Sequence, residues 1–146
     1  GKSQNAMFAD FERIFRKYAD VNTIARSALG PPARSASSSE IKAFTDAFVG
    51  YLSRKYGKRF RDFVGGEIEV TGARAVNKFQ QVSAKVSLRG RAPFDVSFMV
   101  SDRNLFFDLL IENVSLLKSE RAEIGAMLDK RRGDISALAG DLRKAG

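Results

Sequence analysis

Residues 82–112 read VSAKVSLRGRAPFDVSFMVSDRNLFFDLLIE. Val82, Ala84, Val86 and Leu88 alternate with Ser83, Lys85, Ser87 and Arg89. After the turn-forming RGRAP, Phe94, Val96, Phe98 and Val100 alternate with Asp95, Ser97, Met99 and Ser101. A period of two sends successive side chains to opposite sides of a pleated strand, so each run predicts a half-buried strand. SDRN is a second turn, and 105–112 predicts a further strand. Upstream, Ile68 and Val70 in 67–71 predict one more. Four consecutive strands on short connections imply an antiparallel meander.

On either side of this block the period lengthens to that of a helix. Phe8, Phe11, Phe15 and Tyr18 recur at steps of three, four and three, predicting a helix over 4–18. A second follows over 20–29, with Val21, Ile24, Ala25 and Ala28 on one side. Gly30 and Pro31-Pro32 end it. Residues 33–37 form a polar turn, and Ser37 with Glu40 forms a capping box at the head of the longest helix. Its apolar side runs Ile41, Phe44, Phe48, Tyr51, Leu52, Tyr56, Phe60 and Phe63, with Gly57 an expected weak point, and Gly65-Gly66 ends it. After the strands, Leu117, Ala122, Ile124 and Leu128 share a helical face, and Arg131-Arg132-Gly133 closes that segment. Asp134 then caps a last helix carrying Ile135, Leu138 and Leu142. The order predicts an α+β fold in which helices pack on a strongly twisted four-stranded antiparallel sheet enclosing an apolar cavity. Residues 1–146 read as one domain.

Composition narrows the chemistry. The chain has no Cys and no His, which removes a disulfide framework, a thiol nucleophile, the commonest general base and the commonest zinc ligand. Its 44% hydrophobic and 29% charged residues are ordinary for a globular domain, and no apolar run approaches the ~18 residues needed to span a bilayer. The chain opens Gly1-Lys2-Ser3 without an initiator Met, so the expectation is that a signal peptide was removed or a tag remnant remains. No glycine-rich turn precedes GKS, so it is no phosphate loop. A net charge of +8 favours anionic partners or simple solubility. Basic residues cluster at Arg54-Lys55, Lys58-Arg59, Arg61 and Lys130-Arg131-Arg132. On a helix, the aromatics of RKYGKRFRDF turn inward and its charges outward, so a solvated face competes with a binding surface.

The twelve Phe residues invite two readings, a filled core or the wall of an apolar pocket. Asp95 and Asp108 lie in strands, where a buried carboxylate can serve as a general base; a surface position or an anchor for a neighbouring turn explains both more simply.

FERIFRKYADVNTIARSALG (11–30), EIKAFTDAFVGYLSRKYGKRF (40–60), FFDLLIENVSLLKSER (106–121) and KRRGDISALAGDLRK (130–144) together resemble the MlaC family of periplasmic phospholipid-binding, toluene-tolerance proteins. The resemblance covers nearly the whole chain in the family's order. Phe107-Asp108, Glu112, Val114 and Ser115 match the family's aromatic-Asp and Glu-Gly-Val-Ser corner. Asn113 stands for its glycine, and the preceding tryptophan is replaced by Leu105 or Phe106. Asn is the non-glycine residue best suited to positive φ, so the corner is expected to keep its shape.

The resemblance implies a monomeric periplasmic carrier, not an enzyme, that shuttles phospholipid between inner and outer membranes. Its implied partners are an ABC transporter complex with an MCE-domain subunit and an outer-membrane lipoprotein–porin complex. The lipid is cargo, with no cofactor, no metal and no nucleic acid. Phe44, Phe48, Leu52, Tyr56, Val86, Phe94, Val96, Phe98, Phe107 and Val114 are the expected tail-contacting residues, with Val114 pointing into the cavity and ordinary packing the competing reading for each. Two rival functions remain open: a basic-surface module binding nucleic acid or acidic protein, and a small cone-shaped isomerase or dehydratase using Asp95 or Asp108.

Overall fold

The structure, a computed structural model, describes residues 3–64 and 66–146, with backbone alone for 58–64. Helices α1 (Gln4–Tyr18) and α2 (Val21–Leu29), a 3-10 turn (Pro31–Arg34) and the long helix α3 (Ser38–Val64) come first. Strands β1 (Glu67–Val76), β2 (Phe79–Ser87), β3 (Phe94–Val100), β4 (Phe106–Ile111) and β5 (Val114–Ser115) follow, then α4 (Leu116–Lys130) and α5 (Ile135–Lys144). The sheet is an antiparallel meander in the order β1-β2-β3-β4-β5. It has one more strand than the sequence predicts. The extra strand is only two residues long, too short to show an alternation of its own.

The helix starts are where the sequence places them, because each offers a side-chain acceptor to an orphan amide. The Ser37 amide donates to Glu40 Oε1 at 2.9 Å while Glu40 N–H donates to Ser37 Oγ at 3.1 Å, the reciprocal capping box. Asp20, Ser115 and Asp134 cap α2, α4 and α5 with a single bond each, the side chain accepting from the amides of Thr23, Lys118 and Ala137. Two expectations change. Pro31-Pro32 starts a 3-10 turn rather than a plain break. Gly57 does not interrupt α3: a Cβ there would lie 2.8 Å from Phe8 Cδ1, so the glycine is a notch seating α1 on α3. Tyr18, 52% exposed, drops out of the α1 face.

The main core lies among the helices. Phe44, Phe48 and Tyr51 stack along α3, with successive ring centroids 5.5 and 6.2 Å apart. Ala25 and Ala28 of α2, Ile124 and Leu128 of α4, and Leu138 and Leu142 of α5 close around them. A second cluster lies on the sheet: Ala84, Val86, Leu88 and Val96, flanked by Phe94, Phe98, Leu109 and Ile111. Phe106 joins the two, its ring 6.0 Å from Phe15 and 6.2 Å from Phe98.

The outer edge of β4 is sealed at both ends. At one end Asp20 N–H donates to the Phe106 carbonyl at 2.8 Å, and Arg103 from the β3–β4 turn pairs with Asp20 at 3.1 Å. At the other, Glu112 and Asn113 form a two-residue turn with φ of 49° and 66°, the left-handed pair that a tight hairpin needs, and β5 folds back on β4. The corner thus keeps its shape with Asn113 in place of glycine. Asp108 holds it to α4: its carboxylate accepts from Ser115 Oγ, from Leu117 N–H at 3.1 Å and from Leu109 N–H at 2.8 Å.

A second polar tie runs from α3 to α4. Lys55 Nζ donates to Glu120 Oε1 at 2.7 Å and to Glu123 Oε2 at 2.8 Å; Tyr51 donates to Glu123 at 2.8 Å and Tyr56 to Glu120. Burial pulls the Lys55 ammonium down, but the hydrogen bonds to Glu120 and Glu123 outweigh it and hold the group well above the usual lysine range. Glu123 is held below the usual carboxylate range, chiefly by its hydrogen bond from Lys55 and then by that from Tyr51. For Asp20, burial pushes the carboxyl up, but Thr23 and Arg103 outweigh it and the net shift is downward.

Replacing Asp108 by Ala strands two amides and a hydroxyl, so urea unfolding is expected to show a loss of about 1–3 kcal/mol. Asn113→Gly is expected to match or exceed the parent, whereas Asn113→Val, forced into a left-handed conformation, loses about 1–2 kcal/mol. Because Asp20 and Glu123 have depressed folded-state values, the stability they add is complete above the unfolded carboxylate range of about 4. It is lost as pH falls through the lower folded values. Thermal midpoints measured from pH 7 to pH 2.5 are expected to drop in that acid window, and less steeply in Glu123→Gln.

Candidate functional site

Strand register gathers the apolar positions of the sheet into rows on one face. Val70, Ala84, Val96, Ile111 and Val114 line up across all five strands; Val82, Phe98 and Leu109 form a second row, and Ile68, Val86 and Phe94 a third. The middle of this face is buried, with Ala84 at 2% and Val96 at 4% exposure. Its rims are open: Ile68 is 56% exposed, Val70 64% and Val114 58%. The opposite face carries Gln81, Ser83, Lys85, Asp95 and Ser97, in register across β2 and β3. Such a face is a hydrocarbon-like surface with accessible edges.

The ten residues expected from the sequence separate into distinct places. Val86, Phe94, Val96 and Phe98 come together on the apolar face, Val86 and Val96 buried and the two Phe residues half-buried. Phe44, Phe48 and Leu52 instead fill the helical core, at 0%, 1% and 5% exposure, where they pack against α-helical neighbours. Tyr56 is half-buried and its hydroxyl is committed to Glu120. Burial, with the Glu120 carboxylate adding to it, pushes that phenol above the usual tyrosine range; burial likewise pushes Tyr51 up to about 12. Both are neutral donors fastening carboxylates, not proton-transfer groups at neutral pH.

Phe107 is displaced by a β-bulge. Val100 pairs with Phe106 and Met99 with Asp108, so Phe107 is the extra residue. Its ring meets Phe79 at a centroid distance of 4.7 Å. Alternation along β2 puts Phe79 on the face opposite Ala84 and Val86, so Phe107 leaves the apolar face and Phe106 takes its place. Val114 lies at the end of an apolar row, on the same face as its cross-strand partner Ile111, and is exposed at the open rim. Ser115 reaches back to Asp108 on the opposite face, and strict alternation then sets Val114 on the apolar side. Phe60 and Phe63 lie outside the described side chains.

The sequence reading missed Ala84, Phe106, Leu109 and Ile111. Leu109 and Ile111 carry the period-two signal that finds strand faces. Phe106 carries none, because the bulge that reorients it leaves no mark in the hydrophobic pattern.

The carboxylates proposed as bases are otherwise engaged or open. Asp108 is the corner anchor, and Asp95 is exposed. Several residues of the basic clusters are committed to contacts within the fold. Arg54 donates to the carbonyls of Leu142 and Ala145 at 2.6 and 2.8 Å, neutralising the C-terminal end of α5. Lys55 ties α3 to α4, and Arg131 forms a two-pronged pair with Asp141 at 2.6 and 2.7 Å. The side chains of Lys58, Arg59 and Arg61 lie outside the described set.

Concavities among the described residues include a groove of about 500 Å³ between α1, α2 and α3, containing Arg16, Arg26, Lys42 and Asp46. Another, of about 350 Å³, lies beside the 3-10 turn. Neither is lined by any of the ten expected residues, so neither is the apolar cavity anticipated from the sequence.

Comparison with known proteins places this geometry. No curated protein sequence matches the chain. Among solved structures, a phospholipid-binding protein from Ralstonia solanacearum, in complex with a phospholipid, superposes with a TM-score of 0.83 at 18% identity over 97% of this chain and 81% of that one. At that identity the likeness establishes the shared α+β fold. The family model of the MlaC protein matches residues 1–144, and the chain therefore belongs to the MlaC family.

Proposed function

We propose that this protein binds phospholipid by burying acyl tails against the apolar face of its sheet, and that it acts as a carrier rather than as an enzyme. The observation that carries the reading is that face itself: three cross-strand apolar rows, buried at the centre and open at the rims. Membership of the MlaC family and the shared fold with a protein solved in complex with a phospholipid support it.

The energetics fit such a surface. Each methylene withdrawn from water contributes roughly 0.8 kcal/mol, so a ~16-carbon tail left in water would cost on the order of 12 kcal/mol. A carrier has to offset nearly all of that with apolar contact, for which Val, Ile, Leu and Phe suffice. No hydrogen-bond code is needed. The commitment of Asp108 to three local donors also favours binding over catalysis.

In the fuller reading, the protein works as a monomer in the periplasm and moves phospholipid between inner and outer membranes. It exchanges cargo with an ABC transporter complex bearing an MCE-domain subunit and with a lipoprotein–porin complex. The tail site comprises Val86, Phe94, Val96 and Phe98 with Leu109 and Ile111. Phe44, Phe48 and Leu52 support it from the helical core, and Tyr56, Phe107 and Val114 flank it.

Protein purified without detergent and extracted with organic solvent is expected to yield about one phospholipid or more per chain by mass spectrometry, absent from a control protein. Phe98→Glu is expected to keep the far-ultraviolet spectrum of the parent yet lose lipid loading. Retained loading in that variant would remove the sheet face from the site. Phe44→Ala is expected to act through stability instead, losing about 3–5 kcal/mol in urea unfolding.

A further inference from the structure

Three arginines that the sequence does not single out meet at one place on the helical side. Arg26 comes from the last turn of α2, Arg34 ends the 3-10 turn, and Arg121 comes from α4. All three are exposed, and with Ser27, Gly30, Pro31 and Ala33 they line the concavity of about 350 Å³. That volume is at the lower end of the range for small-ligand pockets. No carboxylate contributes to the lining. Among the described residues none of the three guanidinium groups has a hydrogen bond or ion pair, whereas those of Arg16, Arg54, Arg103 and Arg131 do.

The backbone holds the cluster in place. Gly30 has φ of +77°, and a Cβ added there would lie 3.4 Å from Arg121 Nε and 3.6 Å from its Nη2. A Cβ at those distances would make only ordinary van der Waals contact, so the Arg121 guanidinium lies against the main chain at Gly30, with Arg26 before it in sequence and Arg34 after it. Arg26 also lines the adjoining groove, where Lys42 adds positive charge and Arg16 is paired with Asp46.

We propose that Arg26, Arg34 and Arg121 form a binding site for a phosphate oxyanion, carried either by free phosphate or by a phosphorylated lipid headgroup. Guanidinium groups present paired donors that match the oxygens of a phosphate, and charge-assisted bonds of this kind are the strong ones. Three like charges around one small concavity repel one another, and a bound anion relieves that repulsion. The C-terminal end of α2 attracts cations by itself, which makes measured anion binding, rather than the clustering, the deciding observation.

The site is separate from the apolar sheet face, and its test does not depend on tail binding. Calorimetric titrations at fixed ionic strength in chloride use two probes: inorganic phosphate, and dihexanoyl phosphatidic acid below its micellar concentration. Saturable one-site binding of at least one probe is expected, weakened about tenfold or more in both Arg34→Gln and Arg121→Gln and unchanged in Arg89→Gln, a control in the β2–β3 turn. Both pocket variants should keep the parent's circular dichroism and its lipid content on extraction. Binding of inorganic phosphate identifies free phosphate as sufficient; binding of the lipid probe alone assigns the headgroup. The proposal is overturned if neither probe saturates, or if Arg89→Gln weakens binding as much as the pocket variants do.

Discussion

The carboxylate of Asp108 ties the sheet to the helices that follow it. It accepts from the amide of its own neighbour Leu109, from the hydroxyl of Ser115 across a two-residue turn, and from Leu117 at the head of α4. Those bonds fix the direction in which α4 leaves the sheet, together with the pairing of β5 on β4. The position of α4 in turn sets Ile124 and Leu128 against Phe44 and Phe48, and brings Glu120 within reach of Lys55. One side chain in one strand thus transmits the sheet's register into the helical core. That role also explains why a carboxylate in a strand need not be a catalytic one.

The polar tie between α3 and α4 is multiply bonded. Glu120 is 3% exposed, and it receives both Lys55 and Tyr56 on one oxygen. A buried carboxylate is tolerated only when paired in this way. Of the cations clustered in the sequence, Arg54, Lys55 and Arg131 neutralise a helix end and carboxylates. Arg26, Arg34 and Arg121, whose guanidinium groups have no hydrogen bond or ion pair among the described residues, come from three separate elements and form no cluster in the sequence. Local charge density along a chain is therefore a poor guide to the surface charge that remains after folding.

Apolar surface is divided just as unevenly. The helical core is dense, built from stacked Phe rings and small alanines that let helices approach closely. The sheet contributes a thinner cluster whose rims, at Ile68, Val70 and Val114, stay open. A closed core maximises stability, whereas an apolar face with open rims leaves surface on which a flexible hydrocarbon chain can be accommodated. Phe106 is shared by both, so strain or loading on the sheet side has a direct packing route to α1.

The sequence by itself determined the order of elements, the helix starts and the antiparallel meander. Each of these depends on local chemistry: a period of two or 3.6, a hydroxyl or carboxylate ahead of an orphan amide, an Asn able to take positive φ at residue 113. It also determined four members of the apolar face, because Val86, Phe94, Val96 and Phe98 alternate without interruption. The outer half of the first hairpin was not legible, since β1 is exposed on both sides and shows no clear alternation. Only the tertiary structure decided the rest. Whether Phe44 and Phe48 line a pocket or fill a core depends on what packs against α3, and periodicity describes one face of one element. A single bulge exchanged Phe107 for Phe106, and a bond from Ser115 to Asp108 set Val114 at the rim of the apolar face. The convergence of Arg26, Arg34 and Arg121 arises from helix packing across ninety residues of chain, over which local patterns in the sequence carry no information.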